Sequence, residues 1–402
     1  MTVSVCILGH GLISLAPAQA KSFAPQADIM VQKEGKWIRG WVLRPDGPDH
    51  HWIGYTWDSG RAERVPNAQI QANPRAPMDP EAKFFSGWNS TEGTLWSLAT
   101  NGPADRIAMG AANGKVHIFE ASTFIPLKHL QVGTQAKGKA VFGTAFSPDG
   151  KYLAACSYDG TLRVFETQSW QEYSQTTIGK GCERLAFSSQ GQIALSGTPA
   201  NAPKSGQHAL WLYDVKAKQL SPPLRKAAVN QHYYSALQFS PDGKHLAVGS
   251  SNQQKGVTIF DVQNQSLKQV KRLTTAGDVS TLDFSPNGEY VAASSNAQLN
   301  LWKWQTGQRF WSKPFRTAKN VFLSALDFAP DGQSIAACGT GRGMPVKIYR
   351  LGNGKVQKEL GEVRGMSCNG VQFDPTGEHL FTIRQVYSNF NEKVVDRYSV
   401  RK

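Results

Sequence analysis

One short phrase recurs from the second quarter of the chain almost to its end, and this recurrence constrains the fold more than any other feature. The phrase reads apolar-x-Phe-Ser-Pro-Asp-Gly followed by an alternating apolar run. Copies stand at Thr144 to Ala154 (TAFSPDGKYLA), Leu237 to Ala247 (LQFSPDGKHLA), Leu282 to Ala292 (LDFSPNGEYVA), Leu326 to Ala336 (LDFAPDGQSIA) and Val371 to Leu380 (VQFDPTGEHL), with a worn one at Leu185 to Ala194. The anchors Phe146, Phe187, Phe239, Phe284, Phe328 and Phe373 follow one another at 41, 52, 45, 44 and 45 residues. A period of about 40–45 residues holding four short strands points to an all-β protein built as a β-propeller.

Pro presets φ at the first central turn position, and Asp and Gly accept the conformations that reverse the chain, so each phrase predicts a hairpin. Third strands follow at Leu162 to Phe165, Leu210 to Tyr213, Val257 to Phe260, Leu299 to Trp302, Val346 to Tyr349 and Val394 to Tyr398. Leu95 to Ser97, Arg106 to Met109 and Lys115 to Phe119 fit a degenerate first repeat, which makes seven blades. The last repeat has only three strands before Lys402, and the apolar run Lys83 to Trp88 is expected to supply its fourth. Closing the ring from the other end of the chain removes an exposed sheet edge.

Over roughly residues 83–402 the pattern resembles the WD40 repeat family, and the Ser-Pro-Asp-Gly hairpin with its following strand carries the likeness. The third strands end in Phe165-Glu166, Tyr213-Asp214, Phe260-Asp261, Trp302-Lys303 and Tyr349-Arg350 rather than Trp-Asp, which looks more like the looser bacterial propellers. The resemblance implies a rigid interaction platform. In a WD40-type propeller second strands end, and first strands begin, on the same face. Cys156 and Cys338 each lie ten residues after their anchor, and Cys182 and Cys368 each lie five before theirs. That phase implies two inter-blade disulfides, Cys156 with Cys182 and Cys338 with Cys368, each contributing about 3 kcal/mol for loops of this length. Four buried, reduced cysteines acting as small hydrophobes are the alternative.

Ahead of the repeats, Val3 to Ala16 is apolar and ends in Ala-Gln-Ala at 18–20, so residues 1–20 resemble a signal peptide, too short for a membrane span. Export to a bacterial periplasm, or secretion, is expected, with no transmembrane segment in the mature chain. The chain is cytoplasmic if the N-terminus is not a signal. Residues 27–72 alternate over Trp37 to Arg44, Trp52 to Trp57 and Arg61 to Pro66, and resemble the SH3-like Tudor/agenet barrel through Trp37, Gly40, Val42, Tyr55, Gly60-Arg61 and Glu63 to Pro66. Residues 73–82 read as a Pro-rich linker. In Tudor modules aromatic side chains can cage a cation. Trp37, Trp52, Tyr55 and Trp57 are the candidates here, against a simple packing role on a small core.

Lys and Arg outnumber Asp and Glu by 44 to 30, giving a net charge of +14, none of it from the first 20 residues. Lys137, Lys139, Lys180, His232, Lys319 and Arg364 stand seven or nine residues before the anchors, and Lys204, Lys255, Arg342, Arg384 and Lys393 follow second strands. Both loop sets belong to one face, which is therefore expected to be positive and to attract an acidic protein partner or an anionic envelope component. Export argues against nucleic acid, the obvious polyanion. A merely solvated basic surface is the plainer alternative.

No enzyme, cofactor or metal is expected. The nine histidines lack metal spacing, His50-His51 point apart along an extended chain, and no Gly-x-Ser-x-Gly elbow occurs. Gly339-Thr-Gly341-Arg-Gly343 joins two strands rather than opening a helix, so it offers no phosphate cradle. The sequence thus reads as a non-enzymatic binding or scaffold protein. The alternatives are a ligand-binding or hydrolytic propeller with its site at the channel mouth, and a cytosolic protein associated with nucleic acid.

Overall fold

The Ser-Pro-Asp-Gly phrase folds as its turn chemistry requires. In the computed structural model the Ser147 hydroxyl donates to Asp149 Oδ1 (2.6 Å) and accepts from Tyr152 N (2.9 Å), while Asp149 Oδ1 also accepts from Lys151 N (3.1 Å). Ser240 with Asp242 and Ser285 with Asn287 repeat the arrangement. The glycine that follows sits at φ +72° at Gly150 and Gly243, +70° at Gly288, +68° at Gly332 and +69° at Gly377, where a Cβ would be strained.

The structure describes residues 94–400 except for short loops at 104, 122–125, 135–138, 203–207, 225–233, 252–254, 264, 316–321, 341–344, 361–365 and 387–391; before residue 94 it gives only backbone strands. Two consecutive hairpins per repeat produce seven four-stranded antiparallel sheets. Their first strands are Leu95–Thr100, Val141–Phe146, Gly181–Phe187, Tyr234–Phe239, Leu282–Phe284, Phe322–Phe328 and Met366–Phe373, in blades 1 to 7. These first strands pack side by side in order, and the last lies against the first, so the sheets form a closed ring. Ala82–Asn89 completes blade 7 as its outermost strand, pairing Phe84 with Asp396 and Phe85 with Val395. The expected closure by residues 83–88 is what the register shows.

Five further strands, Asp28–Lys33, Lys36–Pro45, His50–Tyr55, Ala62–Pro66 and Ile70–Ala72, form one antiparallel sheet. Its order places the fourth, third, second, first and fifth strands side by side. The side chains of Trp37, Trp52 and Tyr55, and all of Trp57, lie outside the described residues.

Among the described residues the apolar core is divided into seven clusters, one at each junction between blades. Second and third strands of one blade supply one wall, as with Ala154 and Val164 of blade 2. The next blade supplies the other, as with Phe187, Leu195 and Trp211 of blade 3. Burying each such side chain contributes about 1.5–3 kcal/mol. The cysteines sit inside two of these wedges: Cys156 is bonded to Cys182 between blades 2 and 3, and Cys338 to Cys368 between blades 6 and 7, with Cα atoms 5.7 Å apart in both.

Two belts of hydrogen bonds run around the inner strands. Near the strand starts, Ser235 donates to Val279 O, Ser280 to Leu323 O and Ser324 to Cys368 O, stitching blades 4 to 7. Near the strand ends the belt is made by the x of the apolar-x-Phe phrase. Gln238 Nε2 donates to Asp283 Oδ1 (2.9 Å), and Asp283 Oδ2 accepts from Phe328 N (3.0 Å). Asp327 Oδ2 accepts from Phe373 N (2.6 Å), and Gln372 Oε1 from Thr100 N (3.2 Å), crossing from blade 7 to blade 1. Blades 1, 2 and 3 carry Ala99, Ala145 and Ala186 at this position, so among the described residues the belt does not run on from them.

Arg384 corrects the sequence reading. It was expected in an exposed loop after a second strand, but the second strand of blade 7 runs eight residues, His379–Val386, and contains it. Its side chain is 1% exposed, donates to the Tyr398 hydroxyl and lies 5.8 Å from that ring. Arg384 is therefore a core residue of blade 7.

Candidate functional site

Six first strands carry a β-bulge at the same place near the strand start. The register jumps between Leu95 and Ser97, Val141 and Gly143, Cys182 and Arg184, Tyr234 and Ala236, Leu323 and Ala325, and Cys368 and Gly370. The extra residue is Trp96, Phe142, Glu183, Ser235, Ser324 and Asn369 in turn. A bulge leaves one residue out of the ladder and re-aims its side chain. Five of these six, with Tyr158 and Arg184, line a cavity of about 450 Å³ at the centre of the ring, on the face that carries the disulfides.

This mouth has two unlike halves. Blades 1 and 2 give it aromatic rings: Trp96 and Phe142 have centroids 4.9 Å apart, and Phe142 and Tyr158 meet edge to face at 5.5 Å. Trp96 is 43% and Tyr158 46% exposed, and Phe322, opening the first strand of blade 6, is 57% exposed. Rings held by a rigid scaffold yet open to solvent are what a partner's side chain packs on at low entropic cost. The other blades give it polar groups. Arg184 faces the channel, its Nε donating to Ser235 O (2.9 Å) across to blade 4 and its Nη1 to Glu183 O (2.8 Å).

Enclosure by the ring raises the pKa of Glu183 above the usual carboxylate range, with the Arg184 guanidinium opposing the shift. Burial, then Arg184, holds His208 down to about 4, so its ring is neutral at neutral pH. The His208 Nε2 to Glu183 Oε1 approach of 3.6 Å is thus no ion pair there and is too long for a good hydrogen bond.

Of the cations placed on this face by sequence, Lys180 is exposed immediately before the first strand of blade 3, Lys139 is half-buried before that of blade 2, and Lys255 is exposed. Lys137, His232, Lys319, Arg364, Lys204 and Arg342 lie outside the described residues. The structure brings Lys180 to the face of the aromatic mouth, and moves Arg384 into the core. Sequence reasoning missed Trp96, Phe142, Tyr158 and Arg184. The signal available was the aromatic at the second position of the first strand in both blade 1 and blade 2.

At the other end of the channel, Asp283 and Asp327 lie on adjacent inner strands. Burial pushes Asp283 up to about 6, against the donors Gln238, Phe328 N and Phe284 N. Burial, followed by the neighbouring Asp283 charge, raises Asp327 well above the usual carboxylate range. Both carboxyls are spent on inter-blade hydrogen bonds, so this pair belongs to the scaffold.

A model of the WD domain, G-beta repeat, matches residues 128–166 and 267–303. Each match begins in the outermost strand of one blade and runs through the first three strands of the next, the same offset by which Ala82–Asn89 closes the ring. Telomerase protein component 1 of Rattus norvegicus is 28% identical over 203 residues, covering 42% of this chain and 8% of that protein. Pre-mRNA-processing factor 17 of Homo sapiens is 28% identical over 137 residues, 32% of this chain and 22% of that protein. The chain thus spans less than a quarter of the length of these curated relatives. Among solved structures, the Cps50 (Swd1) β-propeller domain of Myceliophteria thermophila superposes with a TM-score of 0.61 at 14% identity, covering 78% of this chain and 99% of that one. A chain of the Mitotic Checkpoint Complex does so with a TM-score of 0.63 at 16% identity, over 78% and 90%. At such identities the likeness speaks for the fold. Among the described residues no helix is long and apolar enough to cross a membrane. Repeat phrase, ring closure and family model agree: the chain carries WD40 repeats folded as a seven-bladed β-propeller.

Proposed function

We propose that the chain is a non-enzymatic binding protein whose basic, disulfide-bearing face engages an acidic protein partner or an anionic envelope component. The observation that carries this reading is the ring of bulged residues. It exposes Trp96, near which Tyr158 stands exposed at the end of the second strand of blade 2, on the same face as Lys180, giving an aromatic anchor beside a cation. Lysines steer an acidic partner inward and the rings hold it. Two disulfides suit an oxidising compartment, which supports export of a mature chain after residue 20. For residues 27–72 the strand order, a meander whose fifth strand returns to the first, supports an SH3-like barrel of the Tudor type, joined to the propeller by residues 73–82.

Affinity capture from envelope extract tests the reading, using the full chain beside a Lys137→Glu, Lys139→Glu, Lys180→Glu variant and a Trp96→Ala, Tyr158→Ala variant. A protein retained by the native chain should be lost from the charge variant. From the aromatic variant it should be recovered about tenfold more weakly, and less as salt rises. Equal capture by all three at every salt concentration would overturn the proposal.

A further inference from the structure

The first strand of each blade packs around the channel, so the outermost strands make the outer wall of the ring. Charge is not spread evenly along this wall. The outermost strands of blades 4, 5 and 6 are Ser266–Leu273, Gln308–Pro314 and Val356–Leu360. They carry Lys268, Lys271, Arg272, Arg309, Lys313 and Lys358 against one carboxylate, Glu359. Those of blades 2 and 3, Glu172–Thr177 and Gln219–Leu220, carry no cation. Lysines on a sheet edge discourage pairing with another chain, but that duty falls on every blade alike and would spread them round the ring. Of the carboxylates beside these strands, Glu359 pairs with Lys347 (3.1 Å) and Glu289 with Lys303 (2.7 Å). Asp261, opposite Lys268 in the ladder, reaches His245 Nε2 (3.0 Å), and Asp278 lies on the loop leading inward from Leu273 to the first strand of blade 5. This sector of the wall is therefore positive.

The three strands make one continuous surface. The Lys271 side chain runs along Gly307 in the turn before the outermost strand of blade 5, its Cδ 3.7 Å from where a Cβ would stand, and Arg309 Nη2 donates to Thr274 O (2.9 Å) of blade 4. Trp311 Nε1 donates to Leu351 O (2.7 Å) and Lys313 lies over Gly354, both in the corresponding turn of blade 6.

Apolar side chains stand out from the same surface. Among the described residues seven large hydrophobic side chains are exposed, of which Trp96, Tyr158 and Phe322 belong to the channel-mouth face. Of the other four, Val270, Phe310 and Val356 lie on these three strands, each 41–45% exposed. Val270 and Phe310 are the extra residues of matching β-bulges: Gln269 and Lys271 pair with Phe260 and Ile259 in blade 4, and Arg309 and Trp311 with Trp302 and Leu301 in blade 5. A bulge re-aims the residue it leaves out of the ladder. A soluble polyanion would need only the cations. Apolar side chains held outward among lysines suit a surface with an anionic skin and an apolar interior, where the rings and methyls dip in while the ammonium groups meet the headgroups.

We propose that the outer wall of blades 4 to 6 docks on an anionic phospholipid bilayer, which leaves the channel mouth free for its own partner. Co-sedimentation of the full chain with vesicles tests it, using equal parts phosphatidylglycerol and phosphatidylcholine beside phosphatidylcholine alone. The chain should sediment with the anionic vesicles and not with the neutral ones, and less as salt rises. A Lys268→Glu, Lys271→Glu, Lys313→Glu variant should bind at least about tenfold more weakly. A Val270→Ser, Phe310→Ser variant should lose about tenfold on vesicles while its retention on immobilised heparin stays as in the native chain. The Lys137→Glu, Lys139→Glu, Lys180→Glu variant should sediment as the native chain does, which separates this wall from the channel mouth. Absence of sedimentation, equal binding to both vesicle types, or equal loss in the two lysine variants would overturn the proposal. So would vesicle binding indifferent to the Val270→Ser, Phe310→Ser change, which would mark the wall as a site for a soluble polyanion instead.

Discussion

The two disulfide-bridged junctions carry the same cross-link in opposite surroundings. Between blades 6 and 7, Cys338–Cys368 is one of several ties. The Ser324 hydroxyl reaches Cys368 O, Asp327 accepts from Phe373 N, and Pro330 covers Gly377. Between blades 2 and 3 the equivalent positions are Phe142, Ala145 and an uncovered Gly191, so neither belt crosses and the turn face stands open. Cys156–Cys182 there holds the inner end, helped on the outer side by Tyr213 donating to Ser174 Oγ (2.9 Å) and Lys218 to Tyr173 O (3.0 Å). One covalent bond is redundant with its neighbours in the first place and has few substitutes in the second.

The largest expected effect tests that contrast directly. The two bridges span 26 and 30 residues, so their constraint on the unfolded chain is nearly equal. Paired Cys→Ala variants of either should cost about 3–4 kcal/mol in denaturant unfolding. Native-state hydrogen exchange should separate them: protection around Cys156 and Gly181 should fall sharply in the first variant, while protection around Cys338 should hardly change in the second. Similar local losses at both junctions would remove the distinction.

A second, smaller effect comes from the belt residues that blades 1 to 3 replace with alanine. The folded pKa values of Asp283 and Asp327 lie above the ordinary carboxylate range, so the native state binds more protons than the unfolded chain. The stability they contribute is fully present below the usual carboxylate pKa and is lost as pH rises through their raised folded values, about 6 for Asp283. Thermal melting should therefore show the propeller losing on the order of 1–3 kcal/mol from Asp283 as pH rises from about 4 through about 6, with Asp327 acting in the same direction. Asp327→Asn keeps an acceptor for Phe373 N and should reduce the slope, and adding Asp283→Asn should flatten it; a slope that survives the double variant would assign the titration elsewhere.

The smallest effect would repair the open junction. Ala145→Gln places an amide where Gln372 stands in blade 7, within the pattern that accepts from the next blade's backbone at Phe187 N. A gain of about 0.5–1 kcal/mol is expected in denaturant unfolding. A neutral result would mean that these two blades sit too far apart on the turn face for the belt to cross.

What could be read from the amino-acid order follows how local each signal was. The hairpins are written in adjacent residues, because Ser, Asp and Gly close the turn among themselves. The disulfides were legible because cysteines at a fixed phase in a repeat meet at a fixed place in the ring. The channel mouth was not legible, since a bulge is a single unpaired residue that leaves the surrounding apolar alternation intact. The belts were hidden for a related reason: Gln238, Asp283, Asp327 and Gln372 sit where alternation alone suggests an unremarkable polar face, and only the neighbouring blade turns them into ties. Arg384 was misplaced because a basic residue near a strand end looks like a loop residue until the strand's true length is known.

The outermost strand of blade 7 comes from residues ahead of blade 1, and this orders events in time as well as in space. Phe84 is made ahead of all seven blades and its partner Asp396 only after the first six, so every blade in between must be synthesised before the final hydrogen bonds can form. The ring is a high-contact-order object whose last step joins its two extremes, a topology associated with slow folding and prolonged exposure of unpaired edges. Once joined, the strand acts as a latch: it holds the two ends of the ring together through a ladder that runs from Ala82 opposite Tyr398 to Asn89 opposite Glu392.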